Sequence, residues 1–559
     1  MIERPDTSRG EAQIRTIIAA AKPLSELEIV ERRGRSGFVW RDPETSIDHF
    51  IETGSAHGLR KETERRTVKD TNGVKETRKE GATHKQRKRT PQRDNLLSLI
   101  GDDVELWRDP NGEGCATFPV NGHRENRAIR SREFKHWLSL SFYEAHAGTL
   151  GGQALEDALR VLEARAARGR VYKTWRRMGK LDNALYLDLV DPQWRAVEIT
   201  SERWQIVDSA PVKFMRSPAM RSLPEPAAGG LIESLRRFVN VATEDDFTLL
   251  VAYLVAVFRV EVPFPILILI GEQGSGKSVL CRLLRAIVDP NEAPIRSVPR
   301  DERDLIVSAV NSHLLCFDNL SGVAGWLSDG LCRISTGSGF STRKLHTDRE
   351  EEVFSASRPI MLNGIASLAE RADLSDRALV VHLPTIIEEA RQSEEEFWRD
   401  FEEAAPEILG SLLDAVRCAL CKLPTTRLER SPRMADFARW VTAAEPGLGL
   451  EEGTFLKAYE ANRAEVFVDA LDADPVATAI RDLVKEHDDQ WEGTATELLA
   501  ALNGRVTEGT RKGRSWPGSP ASLGMRLRRC APLLRTAGLE LDHGHSGERF
   551  IRLKRRGDQ

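Results

Sequence analysis

Long apolar runs are missing from this chain of 559 residues. The longest, residues 247–258, falls well short of the roughly 20 that a membrane-crossing helix needs. The opening MIERPDTSRGEAQIR has no apolar segment of the signal-peptide kind. A cytoplasmic protein is expected. Cysteine is scarce too: there are seven, odd in number and scattered, and Cys418 and Cys421 have no second pair to complete a zinc site. Core thiols in a reducing compartment are the expectation, rather than a disulfide framework. A large net charge is also absent, at −4. That small value conceals a segregation, because residues 60–95 carry 13 Lys/Arg against 6 Asp/Glu and residues 511–556 carry 12 against 3. The remainder is strongly acidic. Basic segments on an acidic body point to local contact with a polyanion.

What is present is concentrated at residues 262–278, VPFPILILIGEQGSGKS. ILILI is a β-branched apolar run of strand length, bounded so as to be buried on both faces. GEQGSGKS then satisfies G-x-x-x-x-G-K-[ST], and VLCRLLRAIV continues with helical apolar spacing. Strand, loop and helix therefore come in the order that phosphate binding requires. Gly271 opens the loop, and side chains at Gly274 and Gly276 would obstruct backbone N–H groups closing round phosphate oxygens. Lys277 is expected to reach the β- and γ-phosphates and Ser278 to ligate Mg²⁺. Ser275 and Val279 complete the loop and the helix start, whose partial positive charge adds to the attraction. ATP and Mg²⁺ are thus the expected cofactors.

Downstream, SHLLCF is a second apolar strand, ending in Asp318 and Asn319. Asp318 is the candidate for holding Mg²⁺ through water, with an N-cap role as its alternative. Asn319 beside it carries an amide, which cannot take a proton from an attacking water. A third strand, RPIMLNG, ends in Asn363, of a type suited to orient water at the γ-phosphate. Between these strands Arg343, Lys344 and His346 follow turn-forming glycines. Such a basic hairpin would neutralise phosphodiesters without reading bases. Arg371 and Arg377 precede a fourth strand, where they would act on a neighbouring subunit's nucleotide or form surface salt bridges.

In chain order, residues 1–58 form a small region with a helical start at 11–21 and β signals near 27–30 and 37–40. Residues 59–93 form a basic linker, either a solvated tether or a DNA-contacting arm. Residues 94–226 read as an α+β adaptor, 227–425 as the ATPase core and 426–473 as a helical connection. Residues 474–556 offer three helices and a basic hairpin, the pattern of a winged-helix domain. Its third helix would bring Arg526, Arg528 and Arg529 to DNA.

Taken together, SERWQIVDSAPVKFMRS, GEQGSGKS, FDNLS, CRISTGSGFSTRKLHTD, RPIMLNGI, DLSDRALVVHLP and SPRMADFARW resemble the superfamily-three helicases. They are more closely similar to the ATP-binding primase/helicase-like proteins of phages, prophages and integrative elements, over roughly residues 95–555. The resemblance implies an α/β fold with a P-loop AAA+-like core, assembly into a ring, expected as a hexamer, ATP sites between subunits and translocation on DNA during replication. By position it implies ATP-site roles for Lys277, Ser278, Asp318 and Asn363, DNA contact for Arg343, Lys344 and His346, and an arginine finger at Arg377. The N-terminal region shows no primase constellation, so a separate primase or polymerase partner is expected. The other class to weigh is an ATP-switched DNA-binding or assembly protein with little hydrolysis. A small-molecule kinase is disfavoured by length, basic hairpin and terminal domain.

Overall fold

The computed structural model describes residues 90–343, 351–354, 357–365, 368, 371–513, 516–546 and 548–556, and three strands nearer the amino end. The helix expected at 11–21 and nearly all of the basic linker lie outside the described residues. The chain divides into two units, Met1–Lys88 and Arg89–Gln559. In the first, β1 (Glu28–Arg32), β2 (Arg35–Arg41) and β3 (Asp48–Glu52) form an antiparallel meander, with Phe38 opposite both Ile29 and Ile51.

The second unit opens with α1 (Gln92–Ser98), a three-stranded sheet of β4 (Glu105–Arg108), β5 (Gly114–Val120) and β6 (His123–Ala128), then α2 (Arg132–His146) and α3 (Gly152–Ala166). The Ser131 hydroxyl caps α2 by accepting from the Phe134 N–H. Phe134, Leu138 and Phe142, four residues apart and so on one face, bury themselves in a cluster with Phe118 and Leu159. Next come β7 (Thr174–Trp175), β8 (Met178–Leu181), β9 (Ala184–Asp188), β10 (Ala196–Ile199), β11 (Trp204–Val207) and β12 (Lys213–Phe214). Strands β8 to β11 make an antiparallel meander, while β7 and β12 pair in parallel.

Then follow α4 (Glu244–Val257), β13 (Ile266–Gly271), α5 (Lys277–Val288), α6 (Glu302–Asn311), β14 (Leu315–Leu320) and α7 (Gly325–Thr336). A hairpin of β15 (Phe340–Arg343) and β16 (Glu351–Phe354) leads to β17 (Ile360–Gly364), α8 (Ala372–Ser375), β18 (Ala378–Leu383), α9 (Glu394–Lys422), α10 (Ala435–Ala444) and α11 (Thr454–Ala473). Four strands form a wholly parallel sheet in the order β14-β17-β13-β18. Because strand side chains alternate faces, Leu267 and Leu269 enter one core with α4, α5 and α9, while Ile266 and Ile268 enter another with Leu305, Phe317 and Leu331. Each such buried side chain contributes about 1.5–3 kcal/mol. The run at 247–258 falls in a core helix, α4, and is buried throughout.

The boundary expected at 226/227 is not a break in packing. Val197 and Ile199 of β10 share the core of Leu409 and Leu412. Arg177, wholly buried, donates to Asp289 at 3.0 Å and to the Asp188, Arg221 and Pro290 carbonyls. Burial pushes Asp289 up, yet Arg177 and Arg285 outweigh it and hold the carboxyl below its ordinary value. Removing one member of such a buried pair costs about 3–5 kcal/mol, so the adaptor is locked to the end of α5.

The chain ends with α12 (Pro475–Glu486), β19 (Gln490–Gly493), α13 (Ala495–Asn503), α14 (Glu508–Lys512), α15 (Pro520–Thr536), β20 (Leu539–Ser546) and β21 (Glu548–Arg555). Three of the helices and the hairpin stand at the expected positions. Two elements, α14 and β19, fall outside that pattern, and β19 joins the hairpin to give the order β19-β21-β20. Pro532 is accommodated inside α15.

Candidate nucleotide-binding site

In a parallel sheet all carboxyl ends lie on one edge, and ligands bind in the crevice outside that edge. Here the edge brings together Gly271, Asp318, Asn363 and Leu383. Gly274 and Gly276 have φ of +86° and +81°, which only glycine adopts at little cost. A Cβ on Gly271 would stand 2.6 Å from the Leu383 carbonyl oxygen. The loop therefore holds its shape through glycine. Gly276 is the N-cap of α5 and offers no side-chain cap, so the first-turn N–H groups remain donors for an oxyanion.

The Lys277 Nζ reaches back across this loop, donating to the Gly271 carbonyl at 2.8 Å and the Glu272 carbonyl at 2.7 Å. Ser275 is fully buried, its hydroxyl given to the Glu272 carbonyl at 2.9 Å. That hydroxyl is structural, and the Ser275 N–H likewise donates to the Glu272 carbonyl at 3.4 Å. Val279 is half-buried one residue beyond Ser278 in the helix.

The Ser278 hydroxyl donates to Asp318 Oδ1 at 2.8 Å, joining two residues forty positions apart. Asp318 lies where β14 slips register between Phe317 and Leu320, and Asn319 has a φ of +57° there. Asn363, only 1% exposed, fills the irregularity. Its Nδ2 donates to Asp318 Oδ1 at 2.6 Å, and its Oδ1 accepts from the Asn319 N–H at 2.7 Å. Both ends of this amide are engaged in holding Asp318 and the Asn319 backbone. Asn319 is exposed. A serine hydroxyl and one carboxylate, whose second oxygen is unengaged among the described residues, suit a hard cation that keeps several waters and phosphate ligands. The residues therefore fit MgATP.

Three neighbours carry no signal in the sequence. Asn240 donates to the Ser275 carbonyl at 3.2 Å and the Pro384 carbonyl at 2.6 Å. The Ile386 N–H donates to the Gly274 carbonyl at 3.2 Å. Arg391 Nη2 lies 3.7 Å from where a Gly274 Cβ would stand. No local motif marks them, because the turn after β18 brings Ile386 and Arg391 over the loop and Asn240 reaches it from the segment ahead of α4.

Arg371 is paired with Asp329 at 2.7 Å and Asp373 at 3.1 Å. Arg377 donates to the Asp373 carbonyl at 2.6 Å. At the hairpin, the Arg343 backbone pairs with Glu351, whereas Lys344 and His346 lie outside the described residues. In the terminal region the Arg526 guanidinium donates to Asp474 at 2.8 Å, the residue that caps α12. Proximity to that carboxylate makes it a brace. Arg528 and Arg529 are exposed on α15.

Residues 232–472 match the family model of the actinomycete integrative conjugative element replication protein, RepA, and residues 476–558 match that of the RepA C-terminal domain. These matches support a replication protein of an integrative conjugative element. No curated protein matches. Among solved structures, the apo C-terminal region of NrS-1 is similar at 13% identity, covering 83% of this chain and 99% of that one with a TM-score of 0.37. JCV helicase is similar at 15% identity, covering 42% and 64%, with a TM-score of 0.22. Among the described residues no helix is long and apolar enough to cross a membrane.

Proposed function

We propose that this replication protein is a Mg²⁺-dependent ATPase that assembles into a ring, as a hexamer, and translocates on or unwinds DNA in the cytoplasm during replication of its element. The observation that supports it best is the Ser278–Asp318 contact beside the Lys277 loop. Bound Mg²⁺ would supply charge neutralisation to the phosphates during γ-phosphoryl transfer to water. Lys277 and the N–H groups at the start of α5 bind phosphate oxygens, and Ser278 and Asp318 hold the cation. Asn363 fixes Asp318 and the Asn319 backbone at the place of reaction. Arg377, with no carboxylate partner among the described residues, completes a neighbour's site. In this reading the core is a P-loop AAA+-like ATPase, the β15–β16 hairpin grips a strand, and the terminal unit of helices and hairpin is a winged helix on duplex DNA.

A second reading is favoured by one observation, the amide of Asn319 where an acid would take water's proton. It is an ATP-switched DNA-binding assembly that recruits a primase or polymerase. Steady-state ATPase rates with and without single-stranded DNA, with Lys277→Ala as blank, separate the two. DNA-stimulated turnover is expected; tight ATP binding without turnover would replace the motor with the switch.

A further inference from the structure

At the amino ends of the same strands lies a cavity of about 270 Å³, lined by residues preceding β13, β14 and β17 and by the β7 segment. A water's share of liquid is about 30 Å³, so a small oxyanion with several waters would fit. Its lining carries Lys173, Arg176, Arg259 and Arg358 against a single carboxylate, Glu261. Glu261 is committed to Lys173. His313, also in the wall, is held neutral: burial above all pushes it down to about 4, and it contacts the Val257 carbonyl.

Among the described residues the other three cations have no carboxylate bound to them. Arg176 donates to the Val310 and Met215 carbonyls at 3.0 and 2.7 Å. Arg358 donates to the Ala309 and Ser357 carbonyls at 2.9 and 3.2 Å. Arg259 is 7% exposed, and its Nη1 is buried without a hydrogen-bond partner among the described residues. Burial pushes both Arg259 and Arg358 down to about 10, and Arg176 adds its repulsion to Arg358. Carbonyl dipoles solvate a guanidinium but do not neutralise it. Arg176 and Arg358 repel each other in a partly desolvated seam, and Glu113, Asp436 and Asp289 act on Arg176, Arg259 and Arg358 respectively from outside the cavity wall. Arg259, its guanidinium over the Trp440 ring, keeps a donor left over that an anion would relieve.

We propose that this cavity is a phosphate-binding site, remote from the nucleotide loop by the length of β13 and built by Arg176, Arg259 and Arg358 across the seam between adaptor and core. Gly337 and Ser357 in its wall bracket the β15–β16 hairpin. The phosphate belongs either to a DNA strand or to a free oxyanion; the chemistry recognised is the same.

The test uses the full chain carrying Lys277→Ala, so that phosphate bound at the nucleotide loop does not enter. Melting temperature is followed against inorganic phosphate and pyrophosphate, and anisotropy of a labelled oligothymidylate is followed in parallel. Phosphate should raise the melting temperature, and adding Arg259→Gln should weaken its binding about tenfold or more, the worth of one charge-assisted hydrogen bond. Arg259→Lys should retain part of the effect, and it serves as the reporter if the Gln variant does not fold. Oligothymidylate binding that also depends on Arg259 and is displaced by phosphate assigns the site to a strand phosphate; unchanged oligothymidylate binding assigns it to a free oxyanion. If neither probe depends on Arg259, the proposal is overturned. Failure of the ATPase reading would leave these readouts untouched.

Discussion

Asn363 donates to Asp318 Oδ1 at 2.6 Å while its carbonyl oxygen accepts the Asn319 N–H at 2.7 Å. One buried amide thus sets both the carboxylate proposed to hold the cation and the backbone that follows it. Replacing Asn363 by Ala should lower kcat about tenfold to a hundredfold, the rate equivalent of losing a hydrogen bond of about 1.5–3 kcal/mol to a charged group. Binding of a non-hydrolysable ATP analogue should hold. Equal loss of analogue binding would show that the residue shapes the cradle and not the cation site.

Arg391 stands over Gly274 and is exposed. Arg391→Ala should raise KM for ATP several-fold with a smaller change in kcat, because an exposed cation beside phosphate is worth about 1 kcal/mol or less. Unaltered KM across a range of low ionic strengths would remove Arg391 from the site.

Arg377, whose guanidinium donates to the Asp373 carbonyl, is proposed to act on the adjoining subunit. Mixing Arg377→Ala chains into wild type should depress ATPase activity more steeply than the wild-type fraction falls. A strictly proportional decline would mean that each subunit works alone.

On α15 the arginines should separate by role. Replacing Arg528 and Arg529 together by Ala should weaken duplex binding and reduce its logarithmic salt slope by about two. Arg526→Ala should instead lower the melting temperature, since it strips Asp474 of its partner. A change in salt slope from Arg526→Ala would restore that residue to the DNA surface.

The pH dependence of stability has a named source in His313. Its folded pKa, about 4, lies below the ordinary histidine value of 6.5. As pH falls through 6.5 the unfolded chain takes up a proton that the folded chain refuses until about pH 4. Stability therefore drops across that window, by roughly 2–3 kcal/mol, and then levels. Asp289, its folded pKa lowered from 3.8, contributes stability that is lost at more acid pH. His313→Gln should flatten the upper window in urea titrations from about pH 7 to about pH 4; an unchanged slope would assign acid sensitivity elsewhere.

Much of the nucleotide loop is legible in the sequence itself, because its requirements are local. An apolar strand, glycines at positive φ and Lys277-Ser278 at the start of a helix are all fixed by neighbours along the chain. The same holds for the terminal helices, whose caps Asp474, Thr494 and Ser519 are written just ahead of them. Short elements such as β3, β19 and α14 carry too few residues for a period to show.

What depends on residues far apart is decided by packing. Asn363 follows Asp318 by forty-five positions, and its amide turns inward because the slip in β14 leaves an N–H to satisfy. Arg526 shares a basic helix with Arg528 and Arg529, and the packing of α15 against α12 places it beside Asp474, 52 positions away. Arg176, Arg259 and Arg358 belong to three segments that no spacing relates, yet the packing of the adaptor on the amino edge of the parallel sheet brings them to one cavity wall. Sequence determined the glycine loop at the head of α5, since backbone geometry is a local property; the tertiary structure decided which side chains are spent holding it and which are left to act.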